Sequence, residues 1–513
     1  MLIKLNSLSI FGLEAKPIKV EVDLRGGLPG FNIIGLPDTM VKESKDRVLS
    51  AIKNSGFKVP LQKVIVNLAP ADIKKQGTMF DLPIALGILL SSNQISIPDM
   101  EESLFAGELS LDGSVSPLKG ALCISNNARK YNFKNLFIPR ENFSEANLID
   151  KVNIVGVNNL RETIEFIRNK TINNNIEKTD INKFIKNNNN TNNTYIDFAD
   201  VKGQMAVKRG IEIAISGGHN ILMVGPPGAG KSMIAKRIPT IMPEMTVDEM
   251  LETTMIYSVM GKLDKNFSLI SQRPFRSPHH TSSDVSIVGG GTLPLPGEIS
   301  LAHNGVLFLD ELPHFRKNVI QSLREPLEDK EITISRSRGS VKYPSNFILV
   351  AAMNPCPCGY LTHNDIECSC SPNSINNYIS KINGPFLDRI DMYLNVPKIN
   401  YEELLGESIE EKSIEIRKRV SLAKEIQNNR FKKSKTKSNS NMSPAEISKY
   451  CDIDSKTKKF LLLATKKLKL SGRGFNRIIK ISRTLADLNH SERIEEEHIM
   501  EAMQYRKPLF DNY

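Results

Sequence analysis

Eight consecutive residues carry the plainest chemistry in the chain: Gly225, Pro226, Pro227, Gly228, Ala229, Gly230, Lys231 and Ser232. They follow a short apolar run, Asn220–Val224, and precede a helix-like stretch. GxxxxGK[ST] between strand and helix is a phosphate loop, whose glycines let backbone N–H groups wrap phosphates while the helix N-terminus adds positive potential. Lys231 would neutralise the β- and γ-phosphates of ATP, and the Ser232 hydroxyl would ligate Mg²⁺. A second piece, Val306-Leu-Phe-Leu-Asp310-Glu311, is an apolar strand that stops at two carboxylates, the place where parallel sheets bind ligands. Asp310 can hold Mg²⁺ and Glu311 can polarise the attacking water. The strand Phe347–Asn354 ends in an amide able to reach a γ-phosphate or the water. In Gly384-Pro-Phe-Leu-Asp388-Arg389-Ile-Asp391, Arg389 suits an arginine finger, with an intrachain salt bridge as the alternative.

Positioning these groups takes a folded, multidomain protein. The 513 residues are 40% hydrophobic and 24% charged, with 31 Gly and 27 Pro, which excludes disordered, collagenous and coiled-coil classes. Residues 1–167 alternate strand-like runs (Ile18–Leu24, Phe31–Ile34, Val64–Asn67, Leu136–Ile138, Ile154–Val157) with helix-like ones (Thr39–Asn54, Phe80–Ser91), which predicts an α/β or α+β domain. Residues 168–195 are polar and Asn-rich and read as a linker. A second α/β pattern, 196–397, holds the phosphate loop, and 398–513 reads as purely helical, opening helices with signals such as the capping box Ser443-Pro444-Ala445-Glu446. No run approaches the ~18 apolar residues of a membrane span, and the N-terminus lacks a signal-peptide pattern, so the expected address is the cytoplasm and no membrane contact is expected.

Of the net charge of +11, residues 401–513 carry +7, with 24 Lys and Arg against 17 Asp and Glu. A basic last domain suits a polyanion, though a solvated helical surface has the same composition. Four of the six cysteines crowd into one stretch, as Cys356-Pro-Cys358 and Cys368-Ser-Cys370. Two such pairs nine residues apart can converge into four thiolates around Zn²⁺, or remain free thiols in a surface loop. Glu331–Val341 alternates apolar and polar residues on both sides of a Ser-Arg-Gly-Ser tip and predicts a β-hairpin bearing Arg336 and Arg338, either a solvated tip or a phosphate-gripping one. Arg430-Phe-Lys-Lys-Ser-Lys-Thr-Lys437 is a second basic run, read as a mobile loop. The adjacent His279 and His280 read as loop residues rather than metal ligands.

In this order and spacing, GPPGAGKS, VLFLDE, AAMNPCPCG and GPFLDRID resemble the magnesium-chelatase-like branch of the AAA+ ATPases. Arg273–His280, Gly289-Gly-Gly and Pro296–Asn304 resemble the helix-2 insert region of the YifB/ComM family in that branch. The resemblance covers essentially the whole chain. It implies an AAA+ parallel-sheet core with a C-terminal helical lid, a homo-oligomeric ring, expected to be a hexamer, and Arg389 acting across a subunit interface. It also implies that Arg473, in Ser471-Gly-Arg473-Gly, is a second sensor of the γ-phosphate, and that the hairpin points Arg336 and Arg338 into the ring's pore, where they could grip DNA phosphates.

Residues 1–167 resemble the Lon-protease-type fold that the family carries at its N-terminus, through Gly107–Gly113 and Pro117–Gly120. That protease needs a nucleophilic Ser and a Lys base. Here the nucleophile's stretch reads Gly77-Thr-Met-Phe-Asp-Leu82 and the lysine position falls near Leu122, leaving Thr78 and Lys119 as the only substitutes. The fold is expected without the chemistry.

Three functions compete. The family resemblance implies an ATP-driven DNA motor for branch migration or unwinding, in recombination or natural transformation. The shared central domain implies a chelatase subunit that drives metal insertion, against which the N-terminal domain argues. That domain's protease-like fold implies a protein-remodelling machine, against which the missing Ser/Lys pair argues where proteolysis is meant.

Overall fold

A computed structural model describes residues 2–96, 100–169, 196–264, 269–291, 293–336, 339–361, 366–382, 384–398, 410–467 and 471–506. The chain divides into two compact units, Met1–Asn192 with Val247–Ser271, and Asn193–Thr246 with Gln272–Tyr513. The linker read at 168–195 lies outside the described residues apart from its first two.

The first unit is built on a seven-stranded mixed sheet. Its strands are β1 (Ile3–Phe11), β2 (Glu14–Arg25), β3 (Gly30–Ile34), β4 (Lys63–Ala69), β5 (Ser103–Phe105), β6 (Asn135–Pro139) and β7 (Asn153–Val157), in the order β3-β4-β2-β1-β5-β6-β7. β4 shows why: in Lys-Val-Ile-Val-Asn-Leu-Ala every second residue is buried, the signature of a sheet with one packed face. Against the sheet lie α1 (Ser44–Asn54), α2 (Asp81–Ser91) and α3 (Ala121–Lys130). The helix read as Thr39–Asn54 is interrupted at Glu43, where Asp38 caps one short turn before α1 begins. α2 is apolar all round and all but one of its residues are buried, as expected of a core helix.

The second unit holds a five-stranded, all-parallel sheet. Its strands are β8 (Ile221–Val224), β9 (Phe275–Arg276), β10 (Val306–Leu309), then, after the hairpin β11 (Glu331–Arg336) and β12 (Gly339–Pro344), β13 (Ile348–Met353) and β14 (Met392–Asn395). The sheet order is β9-β10-β13-β8-β14. Every residue of β8, β10 and β13 is buried, the continuous apolar run of a sheet covered on both faces. The main helices are α4 (Met205–Gly217), α5 (Lys231–Ile241), α6 (Ser413–Arg430), α7 (Gly472–Leu488) and α8 (Glu496–Gln504).

These units differ from the 196–397 and 398–513 division expected from sequence in two ways. The helix Val247–Met260 leaves the ATPase stretch and joins the first unit. There the Gly120 amide donates to the Ser258 carbonyl at 3.1 Å and the Ser258 hydroxyl donates to Glu145. Its buried Met250, Ile256 and Val259 require such a partner surface. Second, the C-terminal helices share one apolar core with the sheet, running from Phe198 through Ile221 and Val350 to Ile481 and Ala502.

Candidate ATP site

Three strands of the second unit end at one pocket of about 410 Å³, lined by Pro227–Met233, Asp310, Glu311, His314, Met353, Asn354 and Tyr378, a volume within the usual range for small-molecule sites. β8 delivers the phosphate loop. Gly228 and Gly230 take φ of +75° and +85°, a left-handed backbone that glycine adopts at no steric cost, and Gly230 leads into α5. Lys231 is buried and donates to the carbonyls of Gly225 at 2.7 Å and Pro226 at 2.9 Å and to Asn354 Oδ1 at 3.1 Å. Burial pulls its ammonium below the ordinary lysine range, with Asp310 opposing that effect.

β10 delivers the carboxylates. Ser232 Oγ donates to Asp310 Oδ2 at 2.5 Å, so the two expected Mg²⁺ ligands already face each other. Glu311, just past the strand, has φ of +52°, and its amide donates to Asp310 Oδ1 at 2.9 Å. Its carboxylate is largely exposed and lies 3.4 Å from His280 Nδ1. β13 delivers Asn354, beside Lys231. Tyr378, on the helix Pro372–Ile379, lines the pocket; burial pushes its phenol up to about 12, against a hydrogen bond from the Asn354 amide, so it stays neutral.

The donor set fits Mg²⁺ and ATP: a hydroxyl and a carboxylate for a hard cation, and a loop of amides with one ammonium for phosphates. Sequence reasoning missed His280, His314 and Tyr378 as neighbours of this pocket. Their positions follow from loop and helix packing, and no local motif marks them.

The two other arginines stand apart. Arg389 is 12% exposed, pairs with Glu328 at 2.7 Å and donates to the Pro385 carbonyl at 2.6 Å. Within one chain it is thus in the salt-bridged state. Arg473 is exposed in the first turn of α7, behind the cap Ser471, and is not among the pocket-lining residues. Nearby Arg477 instead holds Asp391 at 2.7 Å. Burial works against the Asp391 carboxylate, but His219, Arg477 and the Asn220 amide hold it below the usual range. This ties α7, the start of β8 and the Arg389 segment together.

The chain is similar along its whole length to known proteins. Models described as "Magnesium chelatase, subunit ChlI", "Subunit ChlI of Mg-chelatase" and "Magnesium chelatase, subunit ChlI C-terminal" match residues 197–404, 20–142 and 410–506. "Competence protein ComM" of Haemophilus influenzae is 42% identical over 502 residues, 96% of this chain and 95% of that protein. The chain belongs to the YifB/ComM family of magnesium-chelatase-like AAA+ proteins. "Uncharacterized protein YifB" of Escherichia coli K12 is 40% identical over 500 residues, again 96% and 95% of the two chains. "Lon protease 2" of Bacillus subtilis is 26% identical over 181 residues, 32% of each chain.

Outside the pocket, β11 and β12 form the expected hairpin, with Arg336 paired in register with Gly339 and its side chain exposed; Arg338 lies outside the described residues. His279 and His280 are loop residues with rings 4.2 Å apart. In the first unit the Thr78 hydroxyl donates to Glu108 and Lys119 lies along Gly261. No helix among the described residues is long and apolar enough to cross a membrane.

Proposed function

We propose that this protein is an ATP-hydrolysing ring motor that moves or unwinds DNA. The observation that carries the ATPase part is the convergence of Lys231, Ser232, Asp310, Glu311 and Asn354 on one pocket. Bound Mg²⁺ would neutralise charge on the β- and γ-phosphates. Ser232 and Asp310 would hold it, Lys231 would turn from the Gly225 and Pro226 carbonyls to the phosphates, and Asn354 would orient the γ-phosphate. Glu311, exposed at the pocket edge, takes the proton of the attacking water. Arg389 exchanges Glu328 for a neighbouring subunit's γ-phosphate, which requires an oligomer, a hexamer by family analogy. Arg473 approaches its own subunit's γ-phosphate when α7 moves with the nucleotide.

DNA as the substrate rests on the similarity over 96% of this chain to the competence protein ComM, whose name ties that relative to competence. It is supported by the basic residues 401–513 and by Arg336 on an exposed hairpin. The address this implies is the cytoplasm. ATP-dependent disruption of a synthetic four-way junction by the purified chain tests it. The chelatase descriptions favour a second reading, Mg²⁺ insertion into a porphyrin; metallation without junction disruption would establish that reading instead.

A further inference from the structure

The described clusters of reactive or buried polar groups outside the ATP pocket include the Arg47–Asp81 pair, the Asp391–Arg477–His219 network and the four cysteines of 356–370. In the first two, each carboxylate is already paired with an arginine. The cysteines instead bring four soft donors to one point. Their sulfurs all lie within 4.8 Å of one another, with Cys356–Cys358 at 3.3 Å, Cys358–Cys368 at 3.5 Å and Cys356–Cys368 at 3.6 Å. A bonded disulfide requires about 2.05 Å, and all four cysteines are free. Four sulfurs about 2.3 Å from a tetrahedral zinc ion have edges of roughly 3.8 Å, close to the separations seen. An iron–sulfide cluster would hold its cysteine sulfurs farther apart.

The surroundings suit thiolates. The Cys358 amide donates to Cys370 Sγ at 3.4 Å. Amides of Tyr360 and Ser369 face Cys358 Sγ, and those of Gly359 and Leu361 face Cys356 Sγ. Such N–H donors stabilise sulfur charge and orient the ligands.

We propose that Cys356, Cys358, Cys368 and Cys370 hold one zinc ion, and that this ion fixes the roof of the phosphate pocket. Asn354, which meets Lys231, lies two residues before Cys356. On the other side of the quartet, Ser371 follows Cys370 directly and caps the helix that carries Tyr378. The turn that closes the first pair at Gly359 also lies against the phosphate loop, since a Cβ at Gly359 would sit 2.5 Å from Pro227 Cδ. Closing the quartet with an ion therefore joins sensor strand, helix and phosphate loop into one rigid block. Zinc occupancy is independent of the catalytic reading, whereas the effect on turnover rests on it.

The test uses the full chain purified without chelators. Elemental analysis should give about one zinc per chain, and cobalt(II) in its place should show the absorption of a four-thiolate tetrahedral site. Cys370→Ser should lose the metal and lower ATP turnover on the order of 10–100-fold, while Cys370→His, which keeps a ligand, should retain both. Less than ~0.2 zinc per chain, two disulfides, or iron with sulfide in the wild type would overturn the site. Zinc lost from Cys370→Ser with turnover unchanged would overturn the positioning role. A wild type that holds zinc but does not hydrolyse ATP would remove the ATPase reading and leave the zinc site standing.

Discussion

Two loops in this chain follow the same local plan, a glycine with positive φ leading into a helix, and they do opposite things. Gly228 and Gly230 lead into α5, where Lys231 and Ser232 face a cavity together with two carboxylates and an amide from neighbouring strands. Gly77 leads into α2, where every polar group meets a partner instead. The Thr78 hydroxyl donates to Glu108, and fully buried Asp81 accepts from Arg47 at 2.7 and 3.2 Å and from the Leu109 amide at 3.3 Å, while Met79 and Phe80 enter the core. The phosphate loop combines polar atoms with open space. The Gly77 loop keeps a related geometry and spends its polar atoms on the fold.

If that contrast holds, changes at the first loop stop chemistry and changes at the second weaken folding. The largest effect is expected at Arg389. Arg389→Ala should lower turnover on the order of 10³–10⁵-fold with ATP affinity kept. Mixed with Lys231→Ala, which binds ATP poorly but keeps its finger, it should regain part of the rate in co-assembled rings. Inactivity of such mixtures would mean that Arg389 serves only its own chain through Glu328. Glu311→Gln should come next, losing on the order of 10²–10⁴-fold in turnover while nucleotide binding, measured by titration, stays near the parent's.

The sequence made this asymmetry readable to a definite depth. The phosphate loop, the Asp310-Glu311 strand end and the Asn354 strand end were legible because each is a local pattern whose geometry is dictated by a buried parallel strand. That Gly77-Thr-Met-Phe-Asp carries no serine was legible only through the resemblance to the Lon-type fold, which says where a nucleophile would stand. What replaced it was not, since the pairing of Arg47 with Asp81 spans 34 residues and depends on how α1 packs on α2. The transfer of Val247–Met260 to the first unit was equally hidden, because helix periodicity names a buried face and never the surface that buries it. His280 beside Glu311 and Tyr378 over Asn354 belong to the same class of long-range placement.

In the first unit, Arg47→Ala should leave ATP turnover unchanged and destabilise the fold in a pH-dependent way. Burial pushes Asp81 up to about 6, against Arg47 and the Leu109 amide. For an acid with a raised folded pKa, stability falls as pH rises from the unfolded value toward the folded one. Without Arg47 the folded value rises further, so the variant's deficit is small near pH 5 and grows above about pH 6, to about 3 kcal/mol. Urea melts across that range measure it, and a deficit independent of pH would contradict the pairing. The smallest effect is expected at the hairpin. Arg336→Ala should weaken DNA binding to a similar extent across sequences and reduce the slope of log affinity against log salt by about 1, with basal ATP turnover intact. Parental binding at every salt concentration would remove Arg336 from the DNA surface.

ATP turnover by the purified full chain, measured with and without a four-way DNA junction, decides whether this pocket powers a DNA motor. Hydrolysis should depend on Mg²⁺, rise when the junction is added and be nearly abolished in Glu311→Gln. Turnover that is absent with bound nucleotide demonstrated, or that is indifferent both to the junction and to Glu311→Gln, would contradict the motor reading.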